Sequence, residues 1–299
     1  MTKLTNKLMD SAHNNIDELL VIKENTKHNN GFFSCCSIRL TEIIQYFNRN
    51  LTEPMLLDCS EQFKRFKFES NKEDLTLTYF KDFNNFDTIP FFQNVSFHWV
   101  LCNSVYKKLN LNQLSPFVRK YFSVSDCVLK LVSDSEEKYN IDYDQTIAVC
   151  YRGNDKCTET HLARYDEFFL KAQEIITKSP NCRFFVQTDE QEFLDEFYKQ
   201  FQNTFHLEEL PLISKDSNKV MHDMLPRDQR RQFGCKILHS IYMQSKCKYI
   251  ITHTGNCGLW TALFRGNVEN FNQYLHQNRN VNYFKPHANK IPQLDKGWY

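Results

Sequence analysis

Hydrophobic positions in the second half of the chain fall into short unbroken runs separated by stretches of helical periodicity. Short apolar runs that end in polar residues predict buried strands, and these are TIAVCYRG (146–153), CRFFVQTD (182–189), FHLEEL (205–210) and CKYIITHT (247–254). Apolar residues at intervals of three and four predict helices, and these are YDEFFLKAQEIITKS (165–179), EQEFLDEFYKQF (190–201), QRRQFGCKILHSIYMQSK (229–246) and NCGLWTALFRG (256–266). Strands that alternate with helices of this length predict a parallel sheet with right-handed crossovers. We therefore expect one Rossmann-like α/β domain over residues 140–275.

The first half of the chain has a weaker pattern. Helical spacing predicts helices over 37–48, 95–111 and 114–140, the last broken near Ser123, and a short apolar run predicts a strand over 54–60. We therefore place an N-terminal domain at 1–139 and a C-terminal tail at 276–299.

Composition excludes several classes of protein. With 299 residues, of which 41% are hydrophobic and 24% charged, the chain can bury a large core. Lys and Arg total 37 against 36 for Asp and Glu, so the net charge of +1 gives no global reason to expect nucleic-acid binding. No run approaches the roughly 18 apolar residues of a membrane span. We expect a chain without a membrane span and without a nucleic-acid partner.

The cysteine content indicates a reducing compartment. The 11 cysteines include no Cys-x-x-Cys pair, and the N-terminus has no apolar segment of about 7 to 15 residues that would act as a secretory signal. Reduced thiols fit this pattern better than a disulfide framework. The expected location is cytoplasmic.

Polar residues collect where three of the predicted strands end. The first end carries Arg152, Gly153, Asn154, Asp155, Lys156 and, further on, Glu159; the second carries Gln187, Thr188, Asp189 and Glu190; the third carries His253, Thr254, Gly255 and Asn256. Ligands of open parallel sheets bind beyond the carboxyl ends of the strands. This pattern therefore predicts an anion site at that edge of the sheet, although a solvated loop would also be polar.

Two details favour an anion. Arg152 directly follows an apolar strand, so its guanidinium can bind a diphosphate through two hydrogen bonds from a solvent-filled cleft, while Gly153 lets the ligand approach the backbone. Gly255 precedes a predicted helix whose first amides can bind phosphate. Neither segment matches the GxxxxGK[ST] or GxGxxG loops, which argues against a nucleoside triphosphatase or a dinucleotide oxidoreductase.

Three segments, in this order, resemble the α1,6-fucosyltransferase and protein O-fucosyltransferase superfamily. TIAVCYRGNDKCTETHLARYDEFF (146–169) resembles its His-x-Arg-Arg-x-Asp-Lys stretch, VQTDEQEFLDEF (186–197) its Thr-Asp segment, and CKYIITHTGNCGLWTAL (247–263) its strand, turn and helix. In the first half, NNGFFSCCSIRLTEIIQYFN (29–48) is similar to the glycine-containing loop and helix with which such enzymes open.

The resemblance implies a GT-B fold, with two Rossmann-like domains facing a cleft and 1–139 on the acceptor side. It implies an inverting glycosyltransferase that moves a sugar from a GDP-sugar, with GDP-fucose as the expected donor, to a hydroxyl of a glycan or protein. No cofactor and no metal are expected. Cys150 stands where the family has histidine and Gly153 where a second arginine is frequent, so another nucleotide sugar, or a non-catalytic sugar-binding or nucleotide-binding module, remains an alternative.

The resemblance also implies roles for individual residues. Arg152 would neutralise the donor diphosphate, and Glu159 would be the general base, unless it is only a first-turn helix carboxylate. The remaining expected donor contacts are Gly153, Asp155, Lys156, Asp189, Thr254, Gly255 and Asn256. Asp155 could instead fix its loop through Lys156 or Arg152, and Asp189 could bind ribose or sugar hydroxyls or cap a helix.

Other candidate sites are weaker. His98 and Trp99 are expected to contact the acceptor, although aromatic residues in an apolar stretch usually belong to a core. Asp142 and Asp144 fit an Asp-x-Asp metal motif, but they precede their strand and so face the opposite end of the sheet. A zinc site drawn on Cys235, His239, Cys247, His253 and Cys257 lacks the short Cys-x-x-Cys spacing of most zinc sites, so buried thiols are preferred.

Overall fold

The computed structural model describes residues 19–23, 30–68, 73–214, 224–278 and 296–299. In the N-terminal half, these residues form strands β1 (Leu19–Lys23) and β2 (Leu56–Glu61) and helices α1 (Phe32–Asn50), α2 (Thr76–Tyr79), α3 (Leu111–Phe122) and α4 (Asp126–Tyr139). The predicted break near Ser123 is confirmed, because α3 ends at Phe122 and α4 begins at Asp126.

The C-terminal half alternates strands and helices. Its strands are β3 (Thr146–Tyr151), β4 (Thr160–His161), β5 (Arg183–Thr188), β6 (Thr204–Phe205), β7 (Tyr249–His253), β8 (Phe271–Leu275), β9 (Gln277–Asn278) and β10 (Gly297–Trp298). Its helices are α5 (Tyr165–Lys178), α6 (Gln191–Gln200), α7 (Arg227–Lys246) and α8 (Asn256–Arg265).

Six of the strands form one sheet in the order β10-β8-β7-β3-β5-β6. All neighbours are parallel except β10, which runs antiparallel to β8. The predicted parallel α/β sheet is therefore confirmed. The strand predicted over 205–210 is only two residues long, and residues 297–298, which we assigned to a tail, add an edge strand to the sheet.

Strand β3 lies at the centre of the sheet, and all six of its residues are buried. Alternate side chains enter two cores: Ile147 and Val149 pack with α5 and α6, whereas Ala148 and Cys150 join a core shared with α7, α8 and the N-terminal half. Burial on both faces explains why this strand has an unbroken apolar sequence.

The N-terminal half is built on aromatic packing. Among the described residues it contains only the two-stranded parallel sheet of β1 and β2, so a second Rossmann-like sheet is not found there. The ring of Phe122 lies 4.6 Å from that of Trp260 in α8, and Phe33 stacks on the same indole at 6.0 Å. This half therefore shares a continuous core with the sheet domain, and the arrangement of two domains around a cleft remains a prediction.

The helix predicted over 95–111 is wrong. The chain forms two short 3₁₀ turns there, Trp99–Asn103 and Tyr106–Lys108. Its backbone groups bond to distant partners: the Cys102 carbonyl accepts from the Gly255 N–H at 2.8 Å, and the Tyr106 N–H donates to Gln273 Oε1 at 2.8 Å. These tertiary hydrogen bonds replace those of a regular helix.

Candidate functional site

The strand order contains a topological switch point. The chain passes from β3 outward through β5 and β6, then returns to the other side of β3 for β7 and β8. Adjacent strands whose connections leave in opposite directions open a crevice at their carboxyl ends, which is where open α/β sheets bind ligands. Arg152 follows β3 and His253 ends β7, so both lie at this crevice.

Arg152 is held by a buried carboxylate. Its Nε donates to Asp189 Oδ2 at 2.8 Å, and the Gly153 N–H donates to Asp189 Oδ1 at 2.9 Å. The Asp189 side chain is 2% exposed and that of Arg152 is 32% exposed. The guanidinium is thus fixed at Nε, and its Nη1 lies 3.7 Å from Cys257 Sγ, while about a third of the side chain stays exposed, an arrangement suited to binding an anion.

Asp189 therefore acts on the protein's own loop. Both of its carboxylate oxygens accept hydrogen bonds from the chain, and its backbone carbonyl accepts from Asn154 Nδ2 at 2.6 Å. Asp189 thus fixes this loop through Arg152 and Gly153, and the loop-fixing role weighed for Asp155 stays a prediction. The Asp155 side chain lies outside the described residues, and direct contact of either residue with a donor remains a prediction.

A side chain at Gly153 would require the Glu190 carboxylate to move. A Cβ atom at this position would lie 1.8 Å from Glu190 Oε1, so the buried Glu190 carboxylate takes the space next to the glycine. Tyr165 donates its hydroxyl to Glu190 Oε2 at 2.6 Å. A carboxylate thus lies beside the position where the resembling family frequently has its second arginine.

Lys156 and Glu159 form an ion pair. Lys156 Nζ lies 2.6 Å from Glu159 Oε2, with side-chain exposures of 15% and 56%. Burial alone would lower the pKa of Lys156, but the carboxylate of Glu159 raises it above its ordinary value. The predicted base is therefore partly exposed and neutralised by a neighbouring ammonium in the structure described, and its catalytic role remains a prediction.

At the third strand end, Thr254 and Gly255 form hydrogen bonds with other parts of the protein. Thr254 donates its N–H to the Tyr274 carbonyl at 2.9 Å and accepts the His276 N–H on Oγ1 at 3.1 Å. The Gly255 N–H, which we expected to be available for phosphate, donates to the Cys102 carbonyl instead. Gly255 has φ of +140°, in the region that favours glycine.

Helix α8 starts at Asn256, and its first backbone N–H groups have no acceptor within the helix. These amides replace that of Gly255 as the candidate phosphate donors. The Asn256 side chain accepts from Ser37 Oγ at 2.7 Å, and Ser37 Oγ in turn accepts from Trp260 Nε1 at 2.9 Å. This chain of hydrogen bonds links the start of α8 to helix α1 of the N-terminal half.

His98 and Trp99 lie at the start of the 3₁₀ turn Trp99–Asn103, which reaches Gly255 through the Cys102 carbonyl. Both side chains are half-buried, and their rings lie 5.5 Å apart. The turn is therefore next to the third strand end, while contact of these two side chains with an acceptor remains a prediction.

Cys150 is buried in the core that the sheet shares with the N-terminal half of the chain. Burial raises the pKa of its thiol, which is the direction opposite to that expected of an activated nucleophile. The position where the resembling family has histidine is thus filled by a neutral side chain.

Sequence reasoning missed the role of His253. Its buried imidazole accepts the Arg152 N–H on Nε2 at 2.9 Å, and its Nδ1 lies 2.7 Å from the Thr254 carbonyl. It also missed His276, whose ring centroid lies 4.5 Å from that of His253. The only available signal was that a titratable residue ends the apolar run of β7.

The other constellations do not form sites at this edge. Asp142 accepts the Asp144 N–H at 2.9 Å before β3 begins, at the opposite end of the strand from Arg152. Across the described ranges, no group of three or more His, Cys, Asp and Glu residues is arranged to hold a metal ion. That metal takes no part in the chemistry remains a prediction.

Ser135, His239 and Glu209 lie in a row elsewhere in the fold, in the order of a Ser–His–Glu triad. Ser135 Oγ is 3.0 Å from His239 Nε2, and His239 Nδ1 is 3.9 Å from Glu209 Oε1. Ser135 and His239 are both buried, and the serine lies within helix α4. Because a substrate could not reach this serine, we interpret the row as core packing.

No family model matches the sequence, and no curated protein matches it. Structural matches include NodZ α1,6-fucosyltransferase soaked with GDP-fucose, at a TM-score of 0.36 and 13% identity over 52% of this chain and 47% of that one. They also include selenomethionine NodZ from Bradyrhizobium, at a TM-score of 0.48 and 11% identity over 86% of this chain and 93% of that one. In the first match, this chain spans about half the length of NodZ. Both matched structures are of the fucosyltransferase NodZ.

Proposed function

We propose that this chain is a glycosyltransferase that binds a nucleoside diphosphate sugar at the carboxyl ends of β3 and β7. The observation that carries the proposal is the Arg152 guanidinium, which is anchored by buried Asp189 and partly exposed at the switch point of the sheet. A preorganised cation at this place suits a diphosphate, because its orientation is fixed before the ligand arrives.

The proposed reaction is a single displacement with inversion in a GT-B arrangement. An acceptor hydroxyl of a glycan or protein attacks the anomeric carbon, and the bond from that carbon to the diphosphate oxygen breaks. Negative charge grows on the departing diphosphate, and Arg152 together with the first amides of α8 stabilises it. With this charge met by the protein, we propose that the transfer needs no divalent metal.

Glu159 is the proposed base that takes the acceptor proton. Lys156 neutralises it in the structure described, at 2.6 Å. A diphosphate bound beside Arg152 would compete for the Lys156 ammonium, and its arrival would release the carboxylate. Donor binding would thereby prepare the base, which is consistent with the position of Lys156 next to Gly255.

GDP-fucose is the proposed donor, because the segments around Arg152, Asp189 and Gly255 resemble those of GDP-fucose-dependent enzymes. Cys150 and Gly153 depart from that pattern, so another nucleotide sugar is the first alternative. The second is a non-catalytic binding module, which the Lys156–Glu159 ion pair favours because it leaves the proposed base neutralised.

The test is direct binding of GDP, GDP-fucose and other nucleotide sugars by calorimetry to wild type and to Arg152→Ala. Loss of a charge-assisted hydrogen bond should weaken GDP binding about tenfold or more. Arg164→Ala is the matched control, because Arg164 lies beyond the same loop, pairs with Asp166 and is 73% exposed. Unchanged GDP affinity in Arg152→Ala, or an equal loss in Arg164→Ala, would contradict the diphosphate assignment.

Turnover separates a transferase from a binding module. Wild type is incubated with each nucleotide sugar that it binds, with and without a chelator, and release of nucleoside diphosphate is measured as the sugar passes to water in place of the acceptor hydroxyl. Release of GDP from GDP-fucose that survives chelation supports the proposed reaction. Binding without any release favours the non-catalytic module, and release abolished by chelation contradicts the proposed independence of metal.

A further inference from the structure

His253 joins two of the strand ends through one buried ring. Its Nε2 accepts the backbone N–H of Arg152 at 2.9 Å, so this nitrogen carries no hydrogen. The hydrogen of the neutral ring is therefore on Nδ1, which donates to the Thr254 carbonyl at 2.7 Å. One tautomer thus bonds the residue after β3 to the residue after β7.

We propose that His253 is a positioning residue that fixes the main chain of Arg152 for anion binding. This inference rests on the proposed function. Asp189 holds the arginine by Nε and holds the next amide, while His253 holds the arginine's own N–H. With the main chain and the side chain both fixed, the guanidinium has little freedom left to lose when a diphosphate binds.

The groups that face His253 keep it in the neutral form that this role requires. Lys156 and Arg152 bring positive charge from the loop after β3, and the ring of His276 lies 4.5 Å away. Burial lowers the pKa of His253 to about 3, the two cations act in the same direction, and the hydrogen bond to the Thr254 carbonyl opposes them. Nε2 therefore remains an acceptor throughout the neutral pH range.

A merely structural histidine would fill the core without acting on the anion site. His239 is the internal comparison, because it is also fully buried but lies in α7, with its Nε2 at 3.0 Å from Ser135 Oγ. Replacing either ring should lower the melting temperature. Only replacement of His253 should change anion affinity in protein that remains folded.

The variants are His253→Leu, which removes the acceptor, and His253→Gln, whose amide oxygen can lie near the position of Nε2. His239→Leu is the matched control. Affinities for GDP and for inorganic pyrophosphate are measured by calorimetry below the lowest melting temperature. We expect His253→Leu to weaken both ligands by about tenfold, His253→Gln to restore most of the loss, and His239→Leu to bind as wild type does.

A measurement on wild type keeps the inference testable if His253→Leu does not fold. Nitrogen-15 spectra of histidine-labelled protein report which ring nitrogen of His253 carries the hydrogen. The expected result is Nδ1–H, and Nε2–H would overturn the inference because that tautomer cannot accept from Arg152. Wild-type binding that His253→Leu leaves unchanged would overturn this role alone. Wild type that binds neither GDP nor pyrophosphate would remove the proposed function and this role with it.

Discussion

The pair of Arg152 and Asp189 should be energetically coupled, and a double-mutant cycle measures the coupling. From the sequence, we expected the Arg152 side chain to point into a solvent-filled cleft, in which case its removal would cost little stability. In the structure, its Nε lies 2.8 Å from a carboxylate that is 2% exposed. Removing either partner therefore leaves a buried or partly buried charge without its counter-charge.

The expected loss of unfolding free energy follows from the exposed fractions of the two side chains. Breaking a fully buried ion pair costs about 3 to 5 kcal/mol. Arg152 is 32% exposed, so solvent screens part of the interaction and we expect about 1 to 3 kcal/mol for each of Arg152→Gln and Asp189→Asn. In the double variant, two neutral amides replace the two charges and no uncompensated ion remains. The double variant should therefore be less destabilised than the sum of the single variants by about 1 to 2 kcal/mol.

The assay is urea unfolding of the wild type, the two single variants and the double variant, with stability read from midpoints at constant slope. The same cycle at the exposed pair of Lys130 and Asp134, whose Nζ and Oδ1 atoms are 3.0 Å apart, is the control and should show coupling below about 0.5 kcal/mol. Free energies for Arg152 and Asp189 that add within about 0.5 kcal/mol would refute the assignment of Asp189 as the anchor of Arg152.

Three further predictions concern the same strand ends. Glu159→Gln should lower turnover by about 10²- to 10⁴-fold while GDP affinity is retained or increased, because the neutral amide no longer competes with the diphosphate for Lys156; near-normal turnover would remove it as the base. Gly153→Ala should lower unfolding free energy by about 1 to 3 kcal/mol, because its Cβ would meet Glu190, whereas Gly31→Ala, with nothing within 4 Å of its Cβ, should not show this loss. Acid should destabilise wild type more than His253→Gln. The histidine takes up its proton near pH 6.5 in the unfolded chain but only near pH 3 in the folded one. The free energy of unfolding of wild type should therefore fall by about 3 kcal/mol between about pH 6.5 and about pH 4.5. If the urea midpoint falls equally in both proteins between about pH 7.5 and 4.5, His253 is not a buried neutral imidazole.

Strands β3, β5 and β7, and the polar residues that follow them at one edge of the sheet, could be predicted from the sequence because both depend on local patterns, whereas β8 was missed. An apolar run such as Ile147 to Tyr151 is a direct consequence of burial on both faces of the sheet. Arg152 directly follows the apolar run of β3 and Asp189 that of β5. Both could therefore be chosen as candidate site residues. Once the sheet is parallel, the carboxyl ends of its strands must share an edge, so the position of the candidate site follows from the fold class.

The contacts within the site could not be predicted, because they depend on which strands are neighbours. Asp189 reaches Gly153 only because β5 pairs with β3, and His253 reaches Arg152 only because β7 pairs with its other side. Neither pairing is visible in residue spacing. The prediction of a helix over 95–111 failed for a similar reason, since the Cys102 carbonyl in the turn at 99–103 bonds to an amide more than a hundred residues away.

The anchoring of Arg152 by two neighbouring strands makes the site sensitive to sheet register. Tyr151 is paired with Thr188, and Asp189 is the next residue. A slip of one residue would displace the Asp189 carboxylate by about 3.3 Å along the strand and reverse the side of the sheet to which it points. Hydrogen bonds of 2.8 and 2.9 Å to Arg152 and Gly153 cannot survive such a displacement. The aromatic cores on the two faces therefore support the proposed anion site by holding the register, and a core substitution that loosens β5 against β3 should weaken anion binding even though it touches none of the site residues.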